Sequence, residues 1–547
     1  MSKVLSAIAL FVFVFLAVKP SFATGGKCPS GNTTIDPSGN PINIADIGVN
    51  GTITGGITSC FYASQATGSD TNSGTTEASP WKHIPGMSGC SGVCASTIPV
   101  AGEAFILKGG DTWTATTDMN GLQWAWSGTS THPIAVSTDP TWFNSSCGAS
   151  WCRPIFNANS AATNNMFNVG KQSWNIFDNI EVTGMRNNIN GCQMASSTNT
   201  RCTQLYFHGW SHTGNSDNVG FFAQCGTADM IDHNVIDGSD STKNTFNGVF
   251  SSCAGTIAYN YFAYVVSGVL ASTDSVHDNT ILHTVTSIDG DHCNALFTFG
   301  PASGTSQLIY NNYINNGNSC PGGVVLWFNG NGGGSSSWVG YGFNNVMWGL
   351  SSNPVNVGNH QTTNYGTYYW FNNTVDCALG GCGGTPGNGY WTMFDQNNHA
   401  IPSALNFDAT SFGGSIPTPC NLGKGTGCTD LTQTEAVANG QGYMSTEAHP
   451  YSPIGNCTPS TCGTVQSGTN LTSTYCSTLS SVDAAAGAAC LSSSSVGVAY
   501  NSTSHKVTGP SATPLPRPSS GPWDIGAYQL GIQGGPSAPT SLTGAVQ

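Results

Sequence analysis

The chain has 547 residues, of which only 7% are charged: 13 Lys and Arg stand against 27 Asp and Glu, giving a formal net charge of −14. That balance excludes nucleic acid or an anionic membrane surface as the main partner, and it counts against a polyanionic substrate unless a cation intervenes. Disorder is excluded too, because 38% of the residues are hydrophobic and 14 are Trp, whereas disordered chains are poor in apolar residues and rich in charge.

Residues 1–23 read as a secretory signal: Lys3, an apolar run from Leu5 to Val18, and the small-x-small site Ser21-Phe22-Ala23. A membrane anchor is the alternative, but the run is short for a span and no second long apolar segment follows. The chain is therefore expected to be secreted, without a membrane span, and monomeric. Residues 24–60 form an N-terminal segment, 61–530 a repetitive body that becomes irregular and cysteine-rich from 400 onward, and 531–547 a Pro/Ser/Thr-rich flexible tail.

The 20 cysteines all follow the signal, and in an exported chain an even number reads as a disulfide framework. Short loops separate Cys90/Cys94, Cys147/Cys152, Cys192/Cys202, Cys377/Cys382, Cys420/Cys428, Cys457/Cys462 and Cys476/Cys490. Zinc binding is the other reading; no CxxC pair is present and no histidines cluster with these cysteines.

Within the body, segments of the form apolar-x-x-Asn-x-apolar recur. They centre on Asn179, Asn234, Asn260, Asn279, Asn312, Asn345 and Asn373. From Asn234 onward the spacing is roughly 19–33 residues, within the range of solenoid repeats. A second class of short strand alternates with the first, as in Val219–Cys225 and Asn247–Cys253. Coils of this size cannot bury an apolar face alone, but stacked in parallel they share one core and pair every strand above and below. The recurrent Asn suits a left-handed turn position, with its amide laddered to the next coil. Cys225 and Cys253 occupy equivalent places in consecutive coils, about 4.8 Å apart in a stack, which a disulfide tolerates. The fold class is all-β, a right-handed parallel β-helix with multiple disulfides. An immunoglobulin-like array is the competing fold and would show no coil-length repeat.

The stretch Phe61 to Ile84 (FYASQATGSDTNSGTTEASPWKHI) resembles the "YVSxxGxDxNxGTxxxPwkTI" opening of pectate-lyase-like β-helix proteins. Gly102–Trp113 resembles the "GDxixfkxGdtw" strand that follows, and Asp524-Ile-Gly-Ala-Tyr528 resembles the closing "DIGAYE" segment. Together these motifs bracket residues 61–530. The resemblance implies the fold. It also implies an extracellular polysaccharide as partner, without fixing an activity, because the superfamily holds lyases, hydrolases, epimerases and non-catalytic adhesins.

A polyuronate lyase needs a Lys or Arg base and a cation for the carboxylate, yet no Lys or Arg lies between Lys243 and Lys424. A glycoside hydrolase needs two carboxylates. Asp289 and Asp291, followed by His292, would project to one face of an extended chain roughly 6.5–7 Å apart, at the lower edge of inverting geometry. Asp-Gly-Asp is also ordinary turn chemistry, and a Ca²⁺ site is a third reading; no other cofactor or metal is implied. Asp232, His233, Lys243 and His277 are candidate substrate-binding residues, with solvated faces as the alternative. Trp327 is a candidate sugar platform among several tryptophans, such as Trp113, Trp124, Trp126 and Trp370, that would otherwise pack in the core. The expected function is polysaccharide hydrolysis or binding, with a lyase as a further alternative.

Overall fold

The computed structural model describes residues 24–211 apart from 50–52, 161–164 and 187–189, the strands and turns of successive coils between 220 and 457, and residues 458–530. Among the described residues, three long parallel sheets wrap one core. The first holds 12 strands from Ser59–Ala63 to Trp391–Gln396, the second 12 from Thr112–Thr114 to Leu431–Thr432, and the third 9 from Leu122–Gln123 to Asn353–Val357. One coil shows the path: Asn175–Asp178 in the first sheet, Glu181–Thr183 in the second, Cys192–Gln193 in the third, then Arg201–Thr203 back in the first. This is the right-handed parallel β-helix that the repeat implies. No helix among the described residues is long and apolar enough to cross a membrane.

Strand alternation divides the first sheet. Phe105, Val136, Phe177, Cys202, Ile231, Ile257, Val276 and Ile309 point into the core. The intervening residues point outward, yet many of them are buried as well, because the chain's two ends fold over them, while Met230, Thr256 and Ser275 are half-buried. Ile44 and Ile47 of the N-terminal segment pack on Tyr62, Ile106, Ala135 and Ile176. Leu471, Leu479 and Trp523 pack on Tyr310, Phe343 and Phe371. The C-terminal segment runs from the late coils back to the early ones. Tyr475 lies against Phe371, Ser495 bonds Asp278, Val498 bonds Thr280, and His505 accepts from Arg153. It then returns, so that Ala527 bonds Thr374.

The turn from first to second sheet carries an amide ladder. Asn234 donates to Asn260 at 2.9 Å. Asn260, Asn279, Asn312, Asn345 and Asn373 each donate to the next at 3.0 Å, and Asn398 donates to Asp430 at 3.1 Å. The left-handed residue is not the ladder Asn but the one before it: His233 has φ 55°, Tyr259 57°, Asp278 54°, Asn311 56° and Asn344 56°. Only in the early coil does the recurrent residue itself, Asn179 at 65°, take that conformation. The preceding residue reverses the chain, which frees the ladder Asn to point inward.

The opening motif is absorbed by local structure. Asp70 accepts backbone N–H groups of Lys82 and His83 and lies 2.7 Å from His83 Nδ1. Trp81 donates to the Asn72 carbonyl. Gly74, at φ 69°, passes so close to the Trp81 ring that a Cβ would meet it at 2.4 Å.

Disulfides join Cys28–Cys60, Cys90–Cys94, Cys147–Cys152 and Cys476–Cys490. Cys225 and Cys462 are also disulfide-bonded; their expected partners Cys253 and Cys457, with Cys377, Cys382, Cys420 and Cys428, lie outside the described residues. Cys192 and Cys202 depart from expectation. They are two core thiols with Sγ atoms 3.1 Å apart, longer than the roughly 2.05 Å of a disulfide bond.

His399, at the far end of the second sheet, is buried and its Nε2 lies 3.0 Å from Gln433 Oε1. Burial pushes it down to about 4. A histidine depressed in the folded state supplies stability that is present above its unfolded value of about 6.5 and is lost as pH falls through the folded one. Urea unfolding at pH 7 and pH 4 should therefore differ by about 3 kcal/mol more in the native chain than in His399→Gln. An identical pH response in the two would remove this assignment.

Candidate functional site

The two end segments meet at the coil of His233. There, Ile35, Ser38 and Gly39 from the N-terminal side face Lys506–Pro510 from the C-terminal hairpin, over a floor of Arg153, Gln204, His233 and Tyr259. They enclose a cavity of about 160 Å³.

The His233 side chain reaches it through its left-handed turn. Nδ1 lies 2.8 Å from Asp232 Oδ2, so Nε2 remains toward the cavity. Gly39, at φ 84°, passes so near that a Cβ would stand 2.9 Å from Nε2. Asp232 lies beneath, gripped by Arg201 through two bonds of 2.9 and 2.7 Å. Burial works against that carboxylate, but Arg201 and then His233 outweigh it and hold Asp232 down at about 2. Arg201 also donates to the carbonyls of Ile35 and Gly48, tying the N-terminal segment to the coil.

Arg153 ties down the other segment. Its Nε donates to the Gln204 carbonyl at 3.2 Å, and its two terminal nitrogens donate to Ser504 and His505 carbonyls at 3.1 and 3.0 Å. Lys506 stands beside it, its Nζ 4.8 Å from the Trp151 ring centre. Burial and then the Arg153 charge push Lys506 down to about 8, against the opposing pull of Asp178. A lysine so placed can give up its proton near neutral pH, which suits a general base.

A polar flank adjoins the cavity on the second sheet. Tyr206 is stacked between His208 at 4.4 Å and His505 at 4.3 Å. His208 lies between Glu181 at 3.1 Å and Asp240 at 2.7 Å; burial opposes its charge, but the two carboxylates win and raise its pKa. Among the described residues, no three or more His, Cys, Asp and Glu side chains are grouped as metal ligands would be.

Of the sequence candidates, His233 lines the cavity and Asp232 orients it. Both are buried rather than on a solvated face, because the end segments cover that side. His277 is held away: Tyr259 stands between it and His233, with ring centres at 5.3 and 5.0 Å, and its Nδ1 pairs with Asp278 at 2.7 Å. Trp327 lies in the strand Val324–Asn329 of the third sheet, opposite Phe297, and its side chain is outside the described residues. Asp289, Asp291, His292 and Lys243 are also outside them. Trp113, Trp124 and Trp370 are core residues. Arg153 and Lys506, 353 residues apart, carried no sequence signal beyond being among the few cations.

No family model matches this chain, and no curated protein does. Solved structures similar in fold include the pectate lyase Pel9A, at 13% identity and TM-score 0.40 over 88% of this chain and 98% of that one. The PL6 family polysaccharide lyase Pedsa3628 from Pseudopedobacter saltans is similar at 10% and 0.37 over 65% and 93%. A rhamnogalacturonan lyase is similar at 14% and 0.36 over 73% and 97%.

Proposed function

We propose that this is an extracellular carbohydrate-active protein whose cavity takes the carboxylate of a uronate residue. The observation that carries the reading is the convergence of Arg153, His233 and Lys506 on one cavity, in a chain with so few cations. A carboxylate there meets Arg153 and His233, while Lys506 accepts the proton α to it and the C–O bond β to it breaks, its oxygen leaving with a proton from solvent, which is elimination. The net charge of −14 repels a polyanion at long range, so the substrate class is a polysaccharide whose uronates are spaced by neutral sugars. Hydrolysis by Asp289 and Asp291, with His292 orienting, is the second reading; the spacing of the two aspartates favours it.

The two chemistries leave different products. Elimination yields a conjugated double bond, while hydrolysis carries oxygen from solvent water into the product. On a glucuronate-containing glycan, Lys506→Met is expected to lower the elimination rate by roughly 100-fold or more, and the native rate should rise with pH toward about 8. Heavy-oxygen incorporation abolished by Asp291→Asn, with Lys506→Met fully active, would replace elimination by hydrolysis. Uronate binding without cleavage would leave a binding protein.

A further inference from the structure

A second cleft lies on the same outward side of the first sheet, four strands beyond the strand that leads into His233, roughly 19 Å away at about 4.8 Å per strand. Tyr341 and Tyr369 are in register on neighbouring strands, their rings stacked at 5.0 Å and 12°. Tyr475, from the C-terminal segment, sets its ring 5.1 Å from Tyr369 at 68°. Thr474 and Thr478 complete a space of about 240 Å³.

The lining has an unusual uniformity. All five residues carry a hydroxyl on an apolar body, and none is charged. Thr478 donates its hydroxyl proton to the Thr474 carbonyl at 2.9 Å and Thr474 donates to the Leu471 carbonyl at 3.3 Å, so both oxygens present lone pairs. Burial raises the Tyr341 phenol, which keeps it neutral. Rings at a steep angle offer an apolar wall and an edge, with polar groups at their rim. A ligand that fits has a flat C–H face, several hydroxyls and no charge. The lone pairs of the Thr474 and Thr478 hydroxyls suit a hydroxylated ligand better than an apolar peptide, and among the described lining residues there is no charge to meet an anion.

We propose that this cleft binds a neutral pyranose residue, as a subsite separate from the cationic cavity. The proposal rests on the carbohydrate reading above and extends it to uncharged sugars. The Cys476–Cys490 disulfide beside Tyr475 holds the C-terminal wall in place, so the site is formed before the ligand arrives.

The test is calorimetric titration of the full chain with short neutral gluco-, xylo- and galacto-oligosaccharides. At least one should bind saturably. Tyr369→Ala should weaken it by roughly tenfold or more, and Thr478→Ala, at the cleft's rim, by a smaller factor, with the melting temperature of Thr478→Ala close to native. Tyr369→Phe, which keeps the ring, should retain most of the affinity. No saturable binding, or native affinity in both Tyr369→Ala and Thr478→Ala, would overturn the subsite. If uronate oligosaccharides still bind in that case, only the cleft is refuted; if neither sugar class binds, the carbohydrate reading falls with it.

Discussion

Arg201→Met is expected to lower the unfolding free energy by roughly 3–5 kcal/mol. Arg201 is fully buried and Asp232 is 1% exposed. Taking both charges out of water is costly, and each is tolerated because the other is there. Removing the guanidinium leaves Asp232 with His233 and Thr203 as partners and releases the Ile35 and Gly48 carbonyls that anchor the N-terminal segment. Asp232 should then take up a proton at far higher pH than its present value of about 2. Adding Asp232→Leu to Arg201→Met should recover much of the loss, since an apolar pair of similar volume is often no worse than a buried ion pair. Urea unfolding of the two variants measures both quantities; a single variant within about 1 kcal/mol of native would mean that the pair is solvated.

Asn312→Ala is expected to cost about 3 kcal/mol. Its carboxamide oxygen accepts the Asn279 backbone N–H at 3.1 Å and Asn279 Nδ2 at 3.0 Å, and its nitrogen donates to the Val276 carbonyl and Asn345 Oδ1, both at 3.0 Å. Asn345 Oδ1 keeps the Asn312 backbone N–H, and Asn279 Nδ2 keeps two carbonyls. The Asn279 N–H and the Val276 carbonyl lose a partner in a dry core, at about 1–3 kcal/mol each. The same substitution at Asn501, whose side chain serves only the hairpin tip, should cost about 1 kcal/mol or less. Equal losses at the two positions would show that the ladder adds nothing beyond ordinary turn bonds.

The fold was legible because it is periodic. From Asn234 onward the coils repeat one inward apolar position and one laddered amide, so Ile231, Ile257, Val276 and Ile309 announce themselves in the sequence. The phase within the turn was less legible: Asn fits a left-handed position, but the ladder needs an inward amide, and that falls one residue later. The end segments carried no repeat to read. Cys28 pairs with Cys60, and Arg153 meets Ser504 and His505, through contacts that no spacing encodes. This is why His233 and Asp232 could be named but not their setting. Their surroundings turned a solvated-face reading into a buried, charge-ordered one. The scarcity of cations was visible from the start; that Arg153 and Lys506 are gathered at one place was not.

The most direct measurement compares a glucuronate-terminated oligosaccharide with its methyl ester, binding to the native chain and to Lys506→Met. The two ligands differ by one negative charge and little else. The acid should bind the native chain at least roughly tenfold more tightly than the ester, a difference of about 1.4 kcal/mol, and Lys506→Met should keep most of that preference while losing cleavage, because Arg153 and His233 hold the carboxylate. Equal affinity for acid and ester in the native chain would contradict the assignment of the cavity to a uronate carboxylate.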